Sequence, residues 1–195
     1  MSINKDTRTA ILDAAQDLVQ RQSISGVSFQ ELAKRTGIKK GSMYYHFESK
    51  DDLTLALLER ANIDLRESFE RGIGKTPKQR LDYYFNIYRL YVIPSEKLCP
   101  AGAFAGEWDK LSPPVQETVK KLLITQSKGL KSVLTAGIEN GDFKDQGQSI
   151  DELTQWIVSC IQGCLLVCRI YDSKQAFESA VKVINCYLMP DQRTD

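Results

Sequence analysis

A short basic stretch in the first quarter of the chain has the residue types that contact nucleic acid. The stretch GIKKGSMYYHF, residues 37–47, contains two lysines, two tyrosines and the only histidine of the chain. These side chains can donate hydrogen bonds to phosphate oxygens or to the edges of bases. Between residues 30 and 50 there are five Lys or Arg residues and two acids, a local balance of +3. The stretch therefore predicts a local and modest binding site for a polyanion.

The cysteines are the other reactive groups. Cys99 lies in KLCPAG, where Pro100 predicts the start of a short helix, and backbone N–H groups at such a start favour a thiolate. Cys99 is therefore a candidate sensor thiol, with a small buried turn residue as the alternative. Cys160, Cys164 and Cys168 recur every four residues and would lie along one face of a helix. They lack the ligand spacing of a zinc site, so we interpret them as packing residues and predict no metal and no cofactor.

Composition limits the classes of protein that could carry these groups. The chain has 195 residues, 42% of them hydrophobic, and a net charge of +1, so it can bury a core without being broadly basic. Its first residues lack the apolar core of a signal peptide, and its five cysteines are an odd number, which favours a reducing cytoplasm. The longest apolar run, residues 156–168, is broken by Gln162 and Gly163 and predicts a buried helix rather than a membrane span.

Helices must position all of these groups. Apolar residues recur at intervals of three and four, and no alternating pattern typical of strands is convincing, so we predict an all-α fold. The predicted helices cover about 6–22, 29–36, 39–46, 50–71, 77–91, one short segment within 94–112, 113–139, 149–171 and 174–188. Capping spacings predict several helix starts: Ser28 with Glu31, Ser49 with Asp52, and Ser149 with Glu152. Pro94 is predicted to end the fifth helix.

The second and third predicted helices are short and are joined at Gly37, as in a helix-turn-helix whose second helix lies in the major groove of DNA. Residues 7–59 resemble the DNA-binding domain of the TetR (tetracycline repressor) family, through a first helix with AAxxL, then SFxELA, GIxKGSMYYHF and SKxxL. The resemblance implies a cytoplasmic, homodimeric regulator, most often a repressor, that binds a palindromic double-stranded DNA operator. We expect a helix-turn-helix domain over residues 1–50, linked through the helix at about 50–71. A helical ligand-sensing and dimerisation domain is expected over residues 51–195.

Eight DNA-binding residues follow from matching positions in the family pattern: Ser28, Lys39, Lys40, Ser42, Tyr44, Tyr45, His46 and Lys50. Ser28 and Lys50 match positions that touch phosphates, and the end of the recognition helix matches the part that contacts the DNA backbone. Tyr44 and Tyr45 are adjacent and point about 100° apart, so one of them is expected to be partly buried.

The C-terminal part of the chain is similar to the NemR/AcuR-like branch of the family, some of whose members sense reactive electrophiles or small unsaturated acids. The candidate sensor and ligand residues for an unidentified small-molecule inducer are Cys99, Tyr84, Tyr88, Phe104 and Trp108. The resemblance also implies that the last two helices pair with those of a second copy. We predict a seam for that pairing at Phe177, Val181, Ile184 and Leu188, with a stripe of the chain's own core as the alternative.

A repressor has three alternatives. A transcriptional activator would have the same fold. A helical adaptor would bind only protein and would be insensitive to salt and to duplex DNA. An enzyme with Cys99 as nucleophile would need a base, and the only imidazole belongs to His46, some fifty residues away in the proposed DNA-binding domain. We therefore predict a regulator and not an enzyme.

Overall fold

The computed structural model describes residues 2–92 and 97–189, with side chains from residue 7 onward. Over these residues the chain forms α-helices joined by turns and two 3-10 turns, with no strand, which confirms the all-α prediction. The helices are α1 Ser2–Gln22, α2 Phe29–Thr36, α3 Lys40–His46, α4 Lys50–Glu70, α5 Pro77–Val92, α6 Pro100–Ala105, α7 Pro113–Glu139, α8 Ile150–Tyr171 and α9 Gln175–Leu188. The 3-10 turns are Ile24–Gly26 and Trp108–Lys110.

The helix starts follow the capping pattern in the sequence. Ser28 Oγ accepts a hydrogen bond from the Glu31 N–H at 3.1 Å, which satisfies one of the free backbone donors of α2. The Ser149 and Glu152 pair forms a complete capping box at the start of α8. The largest difference from the predicted bounds is that α1 begins at Ser2 instead of near residue 6, and neither 3-10 turn was predicted. Pro94 lies outside the described residues.

The chain divides into two compact units, and the first contains the described residues of Met1–Asp64 and Lys97–Leu123. Within it, α1 packs against α2 and α6, and α2 packs against α3. The core between these helices is apolar and fully buried; its largest side chains are Ile11, Leu18, Leu32, Met43, Phe47, Leu53, Leu58 and Phe104. This core positions the helix-turn-helix. The division into domains of residues 1–50 and 51–195 stays a prediction.

The second unit contains the described residues of Leu65–Glu96 and Ile124–Asp195. Here α8 and α9 pack against each other and both pack against α5. Arg89 of α5 donates two hydrogen bonds, each of 2.8 Å, to the carboxylate of Glu178 on α9. This contact raises the pKa of Arg89 and lowers that of Glu178, since it stabilises both charges.

The predicted dimer seam on α9 is wrong for three of its four residues, while the fourth, Val181, is partly exposed. Phe177, Ile184 and Leu188 are completely buried within the single chain, where α9 packs on α8 and α5, so they form part of its own core. The large apolar side chains that α8 and α9 expose are different ones: Trp156, Leu166, Val167, Ile170, Tyr171 and Val183.

Among the described residues, α8 is the one helix whose length and apolar composition would allow it to cross a membrane, and a third of its most apolar window is buried. Core helices of soluble proteins meet the same two conditions. The prediction of a buried helix at residues 156–168 is wrong for one face of that helix, because Leu166 and Val167 are exposed.

Candidate DNA-binding interface and sensor residues

Helix α3 has one buried and one exposed side. Met43 and Phe47 are at most 1% exposed and anchor α3 in the core of the first unit. The polar side chains predicted to touch DNA lie at the surface: Lys39, Lys40, Ser42, Tyr44 and Tyr45 are exposed, and His46 is partly exposed. A short helix fixed by two apolar anchors can therefore present a set of donors to a flat or grooved partner.

The two tyrosines are held differently. Tyr44 is 53% exposed and its ring packs edge-on against Phe29 of α2, with the ring centroids 5.0 Å apart. Tyr45 is 76% exposed and makes an edge contact with the His46 ring at 5.3 Å. Tyr44 is thus the more covered of the pair, fixed by its neighbouring helix. Tyr45 and His46 lie next to each other at the C-terminal end of α3.

The turn between α2 and α3 needs a glycine. Gly37 caps α2 with φ 70°, a left-handed conformation that a residue with a Cβ adopts only with strain. Ser28 and Lys50, the two predicted phosphate contacts, are both exposed at helix starts: Ser28 caps α2, and Lys50 is the first residue of α4. The Ser28 oxygen accepts from Glu31, so its hydroxyl proton can still be donated to a phosphate. The DNA-binding roles of these residues stay predictions.

Sequence reasoning missed a contact between Glu107 and the connection from α1 to α2. Glu107 accepts hydrogen bonds from the hydroxyls of Ser23 and Ser25 and, at 2.9 Å, from the Ser25 N–H. These bonds lower the pKa of Glu107 to about 2, because they favour the ionised carboxylate. More than eighty residues separate the partners, so no local pattern could have revealed the contact.

Ser23 adopts an unusual backbone conformation at the end of α1. Its φ of 65° and ψ of 177° lie in a region that is populated almost entirely by glycine. A serine there costs roughly 1 to 3 kcal/mol and persists only where surrounding contacts hold it. The bond from its hydroxyl to Glu107 is such a contact.

Asp17 of α1 connects several elements of the first unit. Its carboxylate lies 2.8 Å from Lys97 Nζ, 3.0 Å from Arg21 Nε and 3.3 Å from Arg35 Nη1 of α2. Burial alone would raise the pKa of Asp17, but the hydrogen bonds and positive charges of Lys97 and Arg21 outweigh it and lower the pKa. Asp17 is therefore ionised at neutral pH and joins α1 to α2 and to the residues before Cys99.

Cys99 occupies the position that the sequence predicted, at the start of α6. Its Sγ accepts a hydrogen bond from the Gly102 N–H at 3.3 Å, and the residue is 4% exposed. Phe104 on the same helix is buried, and Trp108 begins the following 3-10 turn and is partly exposed, with Lys120 Nζ 5.9 Å from its ring centre. Any chemical group attached to the Cys99 sulfur would therefore meet a packed environment.

The predicted ligand aromatics are divided between the two units. Cys99, Phe104 and Trp108 belong to the first unit, while Tyr84 and Tyr88 belong to the second. Tyr84 is fully buried, accepts a hydrogen bond from Gln126 Nε2 at 3.1 Å, and packs against the ring of Phe69. Within the second unit Tyr84 and Tyr88 thus have ordinary core contacts. Their role as ligand residues stays a prediction.

The described residues of the first unit line an apolar cavity and a polar one. The apolar one beside Phe104 and Pro100 has about 10 Å³, which holds at most one water molecule. The polar cleft of about 310 Å³ lies between α1 and α4 and is lined by Asp13, Asp17, Arg60, Asp64 and Lys97, among others. Asp13 and Arg60 form an ion pair of 2.6 Å in its wall.

The cysteine stripe of α8 is partly covered. Cys168 is buried, and Cys160 and Cys164 are partly exposed. Burial, followed by the neighbouring Cys160, raises the pKa of the Cys164 thiol to about 12, so that thiol is protonated at neutral pH. Within the described ranges no group of three or more metal-binding side chains is close enough to hold a metal ion.

Two family models together match most of the chain. The model for bacterial regulatory proteins of the tetR family matches residues 11–57, and the tetracyclin repressor-like C-terminal domain matches residues 77–184. The first match contains the whole of α2 and α3. The second extends over more than half of the chain and contains α5 to α8.

Curated relatives carry regulator names. The HTH-type transcriptional repressor NemR of Escherichia coli is 28% identical over 144 residues, which is 70% of this chain and 69% of NemR. The HTH-type transcriptional regulator EthR of Mycolicibacterium smegmatis is 26% identical over 157 residues, covering 76% of this chain and 69% of EthR.

Solved structures share the fold. A TetR transcriptional regulator from Legionella pneumophila superposes with a TM-score of 0.81 at 25% identity and covers 92% of this chain and 95% of its own. The reduced form of Escherichia coli NemR superposes with a TM-score of 0.80 at 21% identity, over 95% of this chain and all of that one. The family and these relatives are DNA-binding regulators, which removes the alternative of an enzyme using Cys99. The chain belongs to the TetR family of bacterial transcriptional regulators.

Proposed function

We propose that the protein is a repressor that binds a palindromic operator as a homodimer and is released by modification of Cys99 or by a small-molecule ligand. The observation that carries the DNA-binding part is the two-sided character of α3. Met43 and Phe47 fix the helix in the core, while Lys39, Lys40 and Tyr45 are exposed. Such a helix fits the major groove, where side-chain donors reach base edges and phosphates.

The eight predicted contacts would have different roles. Lys39, Lys40 and Lys50 are flexible point charges suited to phosphate oxygens, which fix the register of the protein on the duplex. Ser42 and Tyr44 would reach base edges, while Tyr45 and His46 at the end of α3 would contact the backbone of the DNA. Ser28 would donate its hydroxyl to a phosphate at the start of α2.

A dimer follows from the size of the binding surface. One helix-turn-helix covers about half a site, so two heads about 34 Å apart or more are needed to read a palindrome. The apolar side chains exposed on α8, among them Trp156, Ile170 and Tyr171, offer a surface for the second copy. This surface replaces the α9 seam of Phe177, Ile184 and Leu188, which is buried inside one chain.

Cys99 is the proposed switch because its sulfur accepts the hydrogen bond that caps α6. Sγ accepts the Gly102 N–H and is almost completely covered, so an alkyl group on sulfur would weaken the cap and would not fit without movement of α6. The alternative is a reversible ligand held by aromatic residues, with Tyr84, Tyr88, Phe104 and Trp108 as candidates. Either event must favour a state with weaker operator affinity, a coupling typically worth about 1 to 3 kcal/mol.

The test is selection of duplexes from a random library by the purified protein, with and without N-ethylmaleimide. We expect a palindrome to be enriched and its recovery to be lost on thiol treatment. The Cys99→Ser variant should recover the same palindrome and keep it in the presence of the reagent. Release of that variant from DNA by the reagent would contradict Cys99 as the switch. It would favour release by a reversible ligand.

Selection without any enriched duplex at moderate salt would contradict the DNA-binding proposal and favour the adaptor. An activator would recover the same palindrome, so a reporter gene under that operator is needed as well. We expect deletion of the regulator to raise reporter expression. A fall in expression would assign activation instead.

A further inference from the structure

The segment that carries Cys99 is fastened to the DNA-binding half of the first unit at both of its ends. We call residues 97–107, which comprise α6 and its flanks, the strap. At its start, Lys97 Nζ lies 2.8 Å from the Asp17 carboxylate, and the Leu98 N–H donates to the Gln20 carbonyl at 3.0 Å. Both partners belong to α1, against which α6 also packs.

The end of the strap is held through one carboxylate. Glu107 Oε1 accepts from the Ser23 hydroxyl and, at 2.9 Å, from the Ser25 N–H, while Oε2 accepts from the Ser25 hydroxyl. The side chain of Glu107 is only 10% exposed, whereas Ser25 is exposed, and Lys110 Nζ lies 3.3 Å from Oε2. One acidic group therefore satisfies three donors of the connection between α1 and α2.

That connection is strained at Ser23. The residue has φ 65° and ψ 177°, which only glycine adopts readily, and its hydroxyl is bonded to Glu107. The 3-10 turn Ile24–Gly26 follows directly and leads to Ser28, the cap of α2. Without the carboxylate, relief of backbone strain would favour another conformation of Ser23. That change would move the start of α2.

We propose that Glu107 is a positioning residue for DNA recognition, which holds the connection between α1 and α2 in the conformation that α3 needs to enter the groove. The strap also transmits the state of Cys99 to that connection. Glu107 follows the last residue of α6 by two positions, so a displacement of α6 displaces Glu107 as well. Both statements rest on the function proposed above. Glu107 does not touch DNA and acts only through Ser23 and Ser25.

The first experiment compares Glu107→Ala with Asp109→Ala, a matched loss of an exposed acid two residues further on. Operator affinity is measured at a temperature where circular dichroism shows both variants fully folded. We expect Glu107→Ala to weaken operator binding about tenfold, within the usual range for coupled sites, and Asp109→Ala to leave it unchanged. Hydrogen exchange at residues 23–28 should be faster in Glu107→Ala alone.

Rescue separates positioning from a general effect on folding. In Ser23→Gly the strained conformation no longer requires a partner, because glycine adopts it without a Cβ penalty. We expect Glu107→Ala to cost less than threefold in operator affinity in the Ser23→Gly background. An equal loss in both backgrounds would contradict the role of the Ser23 conformation.

Signal transmission is tested in the unmutated protein with N-ethylmaleimide. Labelling of Cys99 is followed by mass spectrometry, and Cys99→Ser is the control for the other thiols. We expect exchange at residues 23–28 to rise in the labelled protein and to stay constant in Cys99→Ser. If the labelled protein is released from the operator while exchange at residues 23–28 is unchanged, the strap does not transmit the signal from Cys99.

The two proposals fail in distinguishable ways. A wild-type protein that selects no duplex overturns the repressor and the role of Glu107 in recognition together. A wild-type protein that binds and is released, with a Glu107→Ala variant of unchanged affinity, overturns only the positioning role.

Discussion

At the scale of single residues, Lys39 and Lys40 lie exposed before and at the start of α3 and test the phosphate contacts directly. Each lysine that pairs with a phosphate releases counterions, so replacing it should reduce the salt dependence of binding by about one unit of slope. We expect Lys39→Ala and Lys40→Ala to weaken binding to all duplexes by similar factors. Affinity is measured by titration from low to high salt, with Lys34→Ala of α2 as the control. An unchanged slope for all three would remove both lysines from the interface.

Glu107 also predicts how stability responds to acid. Its pKa is about 2 in the folded protein, below the ordinary value of 4.5, so the stabilisation is complete above pH 4.5 and is lost as pH falls toward 2. We expect urea unfolding of Glu107→Gln to show a smaller loss of stability over that interval than the wild type. The comparison is needed because the pKa values of Asp17 and Glu178 are lowered as well. Parallel curves for the two proteins would mean that the carboxylate gains nothing from Ser23 and Ser25.

At the scale of helices, Gly137 of α7 shows a close approach that the sequence does not reveal. A Cβ at this position would lie 2.0 Å from the Phe143 ring, and Phe143 is only 3% exposed. Overpacking of this kind costs about 1 to 3 kcal/mol and exceeds the gain of up to about 1 kcal/mol from alanine in a helix. We expect thermal unfolding of Gly137→Ala to occur at a lower temperature. Gly41→Ala in α3 is the control, because its Cβ meets nothing within 4 Å, and it should not lose stability.

The helices show what a sequence can and cannot reveal. Their bounds were largely predictable, since caps such as Ser28 and Ser149 and the apolar periodicity are local signals. The exposed donors of α3 were predictable for the same reason. The Glu107 contact was not, because it joins distant residues. Phe177 was assigned to a dimer seam because an apolar stripe looks the same whether it faces its own core or a partner.

At the scale of the whole molecule, the exposed apolar face of α8 predicts the oligomeric state. Ile170 on α8 and Leu90 on α5 are 75% and 74% exposed in the single chain. Because their exposure is nearly the same, Leu90 serves as the control for a substitution at Ile170. We expect Ile170→Asp to give monomers in analytical ultracentrifugation, because an uncompensated buried charge costs about 3 to 5 kcal/mol. Leu90→Asp should remain dimeric. A dimeric Ile170→Asp, or a monomeric wild type, would show that the copies meet elsewhere or not at all.

The uncovered face of α8 has a consequence for gene dosage. If two copies must meet before this face is covered, the amount of active regulator depends on protein concentration and not on folding alone. Where single chains predominate, dimer rises with the square of their concentration, so halving synthesis reduces the dimer about fourfold. Unassembled chains would display Trp156, Ile170 and Tyr171 to chaperones and proteases, which makes the response to synthesis rate steeper still.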